Sequence, residues 1–187
     1  MKLVVGLGNP GKQYAQTRQN LAWILLDSLA ADNGATWEQH HKTKAEVCKI
    51  NVGGTAVMLA KPQTFMNESG QAVSALLQFY KLSPADVIIV HDELDLPFGD
   101  VRISVNASAG GHNGVKSVIS RMGTQDIVRL RLGIKNDRAD QVPSEAFVLE
   151  RFGFFERQKI KRFLETYSEA LTCLLLSDAQ ACMNQFN

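Results

Sequence analysis

No stretch of the 187 residues approaches the ~20 consecutive apolar residues that a bilayer-spanning helix needs, so no such helix is expected. Cysteine is scarce. Cys48, Cys173 and Cys182 are odd in number and widely spaced, which argues against a disulfide framework or a zinc site and for a reducing cytoplasm. The opening Met1-Lys2-Leu3-Val4-Val5-Gly6 lacks the apolar core and small-residue cleavage site of a secretory leader. No internal repeat, low-complexity segment or linker interrupts the chain, so residues 1–187 are expected to form a single domain. Neither sign of charge dominates: 20 Lys and Arg face 19 Asp and Glu, a balance that neither suggests nor excludes a polyanionic partner.

What is present is globular material. Hydrophobic residues are 45% of the chain and charged ones 21%, enough for a packed core and too apolar for disorder. Lys2–Gly8 reads as a buried strand, and residues 19–31 as a helix with Leu21, Ile24, Leu25 and Leu29 on one face. Strands at 45–52 and 55–61 flank Gly53-Gly54, a two-residue hairpin signal. A helix over Glu68–Tyr80 precedes Val87–Val90, a continuous apolar run of the kind buried on both faces. Strands are expected at Val101–Val105 and Ile127–Ile134, with a short helix at Gly114–Met122 between them. An apolar stripe from Ile160 to Leu175 marks a closing helix over Phe155–Ser177. Strands and helices alternate, so the expected fold is α/β: a three-layer sandwich whose mixed, mostly parallel twisted sheet carries helices on both faces.

Gly6-Leu7-Gly8-Asn9-Pro10-Gly11 matches the G-x-G-x-x-G dinucleotide fingerprint directly after the first strand. Its context is wrong. Pro10 and Lys12–Ala15 delay the helix, and the nearest candidate for the ribose-binding acid, Asp27, falls inside a helix rather than at a strand end. The motif still marks a tight turn at the carboxyl end of a strand, where α/β proteins place their ligand crevices. Three further polar stretches fall at strand ends or helix starts: Thr17-Arg18-Gln19-Asn20, Lys61–Gly70, and His91–Pro97 with Gly110–Gly114. Asn9, Asn20, Asn67 and Asn113 recur there, and an amide that both donates and accepts suits ester carbonyls, peptide backbone or ribose hydroxyls. Each asparagine taken singly also suits a helix cap or a turn.

In order and spacing, four motifs resemble the bacterial peptidyl-tRNA hydrolases over essentially the whole chain. They are Val4-Val5-Gly6-Leu7-Gly8-Asn9-Pro10-Gly11, Lys61-Pro62-x-Thr64-Phe65-Met66-Asn67-x-Ser69-Gly70, His91-Asp92-Glu93-Leu94-Asp95-Leu96-Pro97 and Gly110-Gly111-His112-Asn113-Gly114. The resemblance implies a cytoplasmic, monomeric enzyme without metal or cofactor and without an obligate protein partner. Its substrate would be peptidyl-tRNA, bound by the acceptor end and 3′ CCA, and its reaction hydrolysis of the ester joining peptide to the terminal ribose. By the same resemblance, Asp92 orients the general base, while Asn9 and Asn67 place the carbonyl and stabilise the tetrahedral intermediate. Tyr14, Phe65, Met66, Asn67, Gly111 and Asn113 would meet the tRNA 3′ end, together with Asn20 from the first helix, and Arg102 and Arg131 its phosphates.

One departure outweighs the matches: the family's general base is a histidine in Thr-Arg-His-Asn, and this chain has Gln19 there. An amide takes no proton near neutral pH, although Gln19 can reach a water and Asp92. The expectation is a hydrolase scaffold that binds substrate and cleaves it poorly. The alternative is a non-catalytic RNA-binding relative. His91 and His112 are the candidates to stand in for the base; His40 and His41 read as surface residues. Arg102, Lys116, Arg129, Arg131 and Lys135 make a basic segment suited to phosphate, weakened at Ser104, where the family often has lysine. The polar stretch 136–146 is either a lid over the crevice or an ordinary connection.

Overall fold

In the computed structural model, which describes residues 1–187, seven strands form one sheet in the order β2-β3-β4-β1-β5-β7-β6. The strands are β1 (Lys2–Gly6), β2 (Glu38–His40), β3 (Ala45–Val52), β4 (Thr55–Pro62), β5 (Val87–Pro97), β6 (Val101–Ser104) and β7 (Val128–Lys135). The neighbours β4-β1-β5-β7 run parallel, whereas β3 and β6 run antiparallel to the strands beside them. The first strand shows why both faces are covered. Leu3 and Val5 point into one core with α2 (Ser69–Tyr80) and α3 (Asn113–Met122), and Val4 points into the other with α1 (Leu21–Asp32). That second core is completed by α4 (Ser144–Leu149), α5 (Phe154–Leu176) and α6 (Ala179–Phe186). No helix is long and apolar enough to cross a membrane.

The glycine motif has a packing explanation. A Cβ at Gly8 would stand 2.6 Å from the Trp23 ring, whose Nε1 donates to the Gly6 carbonyl at 2.8 Å, so bare backbone here admits the indole of α1. Asp27 is no ribose acid either: it pairs at 2.8 Å with the buried Lys61, which also meets Glu46 and lies over Trp37.

Several expectations need correction. The first strand ends at Gly6 rather than Gly8, and the central strand runs on to Pro97 through a register shift between Glu93 and Pro97. Three elements went unforeseen: β2, α4 and α6. β2 is three polar residues, and α4 is too short to display a 3.6-residue period. The cysteines are not all free. Cys173 and Cys182, only nine residues apart, flank the turn from α5 to α6, which brings them into a disulfide; the expectation of wide spacing holds for Cys48 alone. The α6 end closes on the sheet edge, where the Asn187 side chain accepts from the Ile103 N–H and donates to its carbonyl, both at 2.8 Å.

Candidate active site

The carboxyl ends of β1, β4 and β5 lie side by side because the three strands are parallel neighbours, and a crevice of about 480 Å³ opens over them. Asn9 comes from the turn after β1, Phe65, Met66 and Asn67 from the turn after β4, and Asp92 and Glu93 from β5 itself. Gly111, His112 and Asn113 arrive at the start of α3, and Gln19 just before α1. A larger groove of about 1060 Å³ between α1, α5 and α6 gathers none of these residues.

Asn9 organises one wall. Its Oδ1 accepts from the Met66 N–H at 2.9 Å, which fixes the amide orientation, so its Nδ2 faces Gln19 and donates to Oε1 at 2.9 Å. The Gln19 NH2 group, a pure donor, makes no hydrogen bond to the protein, and the residue lines the crevice. Asn9's own main chain is clamped by Asn20, whose Oδ1 accepts from the Asn9 N–H (2.8 Å) and whose Nδ2 donates to the Asn9 carbonyl (2.9 Å). Asn20 is fully buried in this clamp and does not line the crevice, whereas the sequence places it at the substrate. Tyr14 is not among the lining residues either; it helps build the turn before α1, its carbonyl accepting from the Thr17 hydroxyl.

The opposite wall holds a carboxylate–imidazole pair. His112 caps α3: its Nδ1 accepts from the N–H groups of Gly114 and Val115 at 3.1 and 3.2 Å, so the ring proton sits on Nε2 and is donated to Asp92 Oδ1 at 2.9 Å. The expected partner of Asp92 was residue 19; in the structure Asp92 pairs with His112, and Gln19 with Asn9. His91 stacks edge-on against His112 and is buried, with Nδ1–H donating to the Asp92 carbonyl at 2.7 Å. Burial first, then His112, Arg129 and Arg131, push its pKa well below the ordinary imidazole value. His91 is thus a neutral packing group.

The basic segment divides. Arg102 and Arg131 are register partners on β6 and β7, and Arg131 Nε is held by Glu93 Oε2 at 2.9 Å, so these two stand together near the crevice. Arg129 is buried and donates to the Ser108 carbonyl, so it is no phosphate contact; Lys135 meets Asp140 in an exposed pair at 3.2 Å. Lys116 instead joins Arg121 in a polar groove of about 800 Å³ between α2 and α3, which shares Asn67 and Asn113 with the crevice.

Residues 136–146 run through turns into α4; Ser144 and Glu145, at the end of the stretch read as a lid or a connection, line the crevice together with Val148 and Leu149 beyond it. The wall is pinned. Arg18, buried, reaches Glu156 at 2.9 Å and the carbonyls of Glu150 and Arg151, and lies over the ring of Phe147. The signal for it was a charged residue in a motif flanked by polar ones, which reads equally as surface.

The family model for peptidyl-tRNA hydrolase matches residues 3–187. The peptidyl-tRNA hydrolase of Mycobacteroides abscessus is 48% identical over 183 residues, covering 98% of this chain and 93% of that protein. That of Desulforamulus reducens is 43% identical over 187 residues, covering 100% and 89%. A crystal structure of the peptidyl-tRNA hydrolase from Acinetobacter baumannii superposes with a TM-score of 0.88 at 32% identity, covering all of this chain and 94% of that one.

Proposed function

The chain belongs to the peptidyl-tRNA hydrolase family, and from that premise we propose how its crevice hydrolyses the ester between a peptide and the terminal ribose of tRNA. The observation that carries the reading is the convergence of Asn9, Gln19, Asn67 and Asp92 on one crevice at the carboxyl ends of parallel strands. Asn9 has a second Nδ2–H beyond the one given to Gln19, and Asn67 is exposed; both amides suit an oxyanion developing on the scissile carbonyl. Phe65, 60% exposed at the rim, offers a stacking face to the 3′ CCA, with Met66, Gly111 and Asn113 beside it. Arg102 and Arg131 supply phosphate contacts, which confer affinity and salt dependence but no sequence reading. The enzyme works as a cytoplasmic monomer on the acceptor end of its substrate, without metal or organic cofactor.

Gln19 occupies the family's general-base position. Its carbonyl oxygen accepts from Asn9 Nδ2, and an amide takes no proton near neutral pH, so Gln19 cannot act as the base. Loss of a general base costs ~10²–10⁴ in rate while binding contacts persist. The chain as given is therefore a strongly impaired hydrolase. The lack of a proton-accepting side chain at residue 19 also favours a second reading, a tRNA-binding module that no longer cleaves.

Hydrolysis of an N-blocked aminoacyl-tRNA by this chain and by Gln19→His, with tRNA affinity measured in parallel, separates the two. The hydrolase reading expects Gln19→His to gain at least ~10² in rate with little change in affinity. Binding by both forms with cleavage by neither replaces it with the binding module.

A further inference from the structure

Which group takes the proton of the attacking water when residue 19 cannot? The structure narrows the acceptors in the crevice one by one. His112 has no free lone pair: Nδ1 is held by the Gly114 and Val115 amides, and Nε2 carries the hydrogen given to Asp92. A second proton would have to displace both amides and put a cation at the N-terminus of α3, where the helix dipole opposes it. His91 is sealed away, 1% exposed. Glu93 has both oxygens engaged, Oε1 by the Asp95 N–H and Oε2 by Arg131. Asp92 differs. Its Oδ1 accepts from His112, while Oδ2 accepts no hydrogen bond from the protein and yet is not among the buried unpartnered atoms, and the residue lines the crevice that holds Gln19, Asn9 and Asn67.

We propose that Asp92 is itself the general base of this chain, taking a proton from water directly on Oδ2 while the Nε2–H of His112 holds Oδ1. This rests on the hydrolase reading above. The water oxygen bonds to the ester carbonyl carbon as its proton passes to Oδ2, and the carbonyl electrons move to an oxyanion facing Asn9 and Asn67. Collapse breaks the bond to the ribose oxygen, which recovers the proton from Asp92, and the peptide leaves as a carboxylic acid that ionises in water. His112 acts through Asp92 as a positioning residue, fixing which oxygen faces the crevice. In this chain the NH2 of Gln19 is left as a hydrogen-bond donor to the water, a positioning contact without proton transfer.

The test is kcat/KM for an N-blocked aminoacyl-tRNA between pH 5.5 and 8, corrected for spontaneous ester hydrolysis, with tRNA affinity and melting temperature measured on every variant. The chain as given should cleave slowly with no acidic limb near ~6.5, where an ordinary imidazole titrates, and Gln19→His should be faster and acquire that limb. Asp92→Asn, made in the Gln19 chain, should lose at least ~10² in rate at unchanged tRNA affinity. An imidazole limb in the chain as given, full activity in Asp92→Asn, or loss of the rate in Glu145→Gln instead would overturn the proposal. If Asp92→Asn does not fold, the pH profile alone decides. Cleavage by Gln19→His with none at all by the chain as given overturns Asp92 as base and leaves the hydrolase reading standing. Cleavage by neither overturns both.

Discussion

Asn20→Ala separates a scaffold residue from a substrate contact. Asn20 is fully buried and exchanges two hydrogen bonds with the main chain of Asn9, at 2.8 and 2.9 Å. Alanine removes both partners at once and leaves the Asn9 N–H and carbonyl unpaired beside the core. Each such group costs about 1–3 kcal/mol, so the pair costs about 2–6 kcal/mol. For a domain whose total stability is of the order of 5–15 kcal/mol this is a large share, and at ~2–4 °C per kcal/mol the melting temperature should fall by at least ~4 °C. The damage is also directional. With its backbone released, Asn9 loses the geometry that presents Oδ1 to Met66 and Nδ2 to Gln19, so the activity of a Gln19→His background should fall along with stability. Urea unfolding and tRNA cleavage measured on the same two proteins decide the matter. A residue that merely touched substrate would raise KM and leave the unfolding curve in place; a loss of stability below ~1 kcal/mol refutes the clamp.

Two other perturbations test the supports of the site. His91 is held neutral by burial, whereas the unfolded chain takes up a proton there at the ordinary ~6.5, so below that pH the unfolded state binds more protons. Stability should therefore be level above ~6.5 and fall by up to ~1.4 kcal/mol per pH unit beneath it, a slope that His91→Gln should make shallower in urea titrations at pH 7.5, 6 and 5; an unchanged slope counts against the assignment. Gly70→Ala would drive a methyl group into the carbonyl of Ser117, where α2 and α3 touch backbone to backbone. Because α3 carries His112 and Asn113, we expect ~1–3 kcal/mol of lost stability together with slower cleavage in the Gln19→His background, read by unfolding and rate; an alanine variant as stable as its parent would mean the helices separate freely.

What was legible in the sequence was whatever its pattern encodes locally. The β3–β4 hairpin fell out of Gly53-Gly54, both at positive φ, between two apolar runs, and β5 out of four consecutive apolar residues. The α5 stripe was plain because 23 residues give the 3.6-residue period room to repeat. β2, α4 and α6 are too short or too polar for any period to show, and what defines them is contact with distant chain: β2 with Val47, α4 with Arg18, α6 with Ile103.

The site follows the same rule one level up. Its members were found because the polar residues stand next to strand ends and glycines, and because those stretches resemble one family; their roles were not, because a role is a pairing. Asn20, Arg18 and Lys61 look like binding groups in a motif, yet each is spent on holding a wall: Asn20 on Asn9, Arg18 on Glu156 and α4, Lys61 on Asp27 and Glu46. Asp92 shows the cost of inferring a pairing from position. It was expected to serve residue 19, and the structure gives its Oδ1 to His112, whose other nitrogen is committed to capping α3. With the imidazole fixed in that tautomer, His112 offers Asp92 no second nitrogen to act through, and in the proposed mechanism the carboxylate meets water itself. Asp92 Oδ2, next to the oxygen that His112 holds, accepts no hydrogen bond from the protein, and that is the atom to which the proposed mechanism delivers the proton.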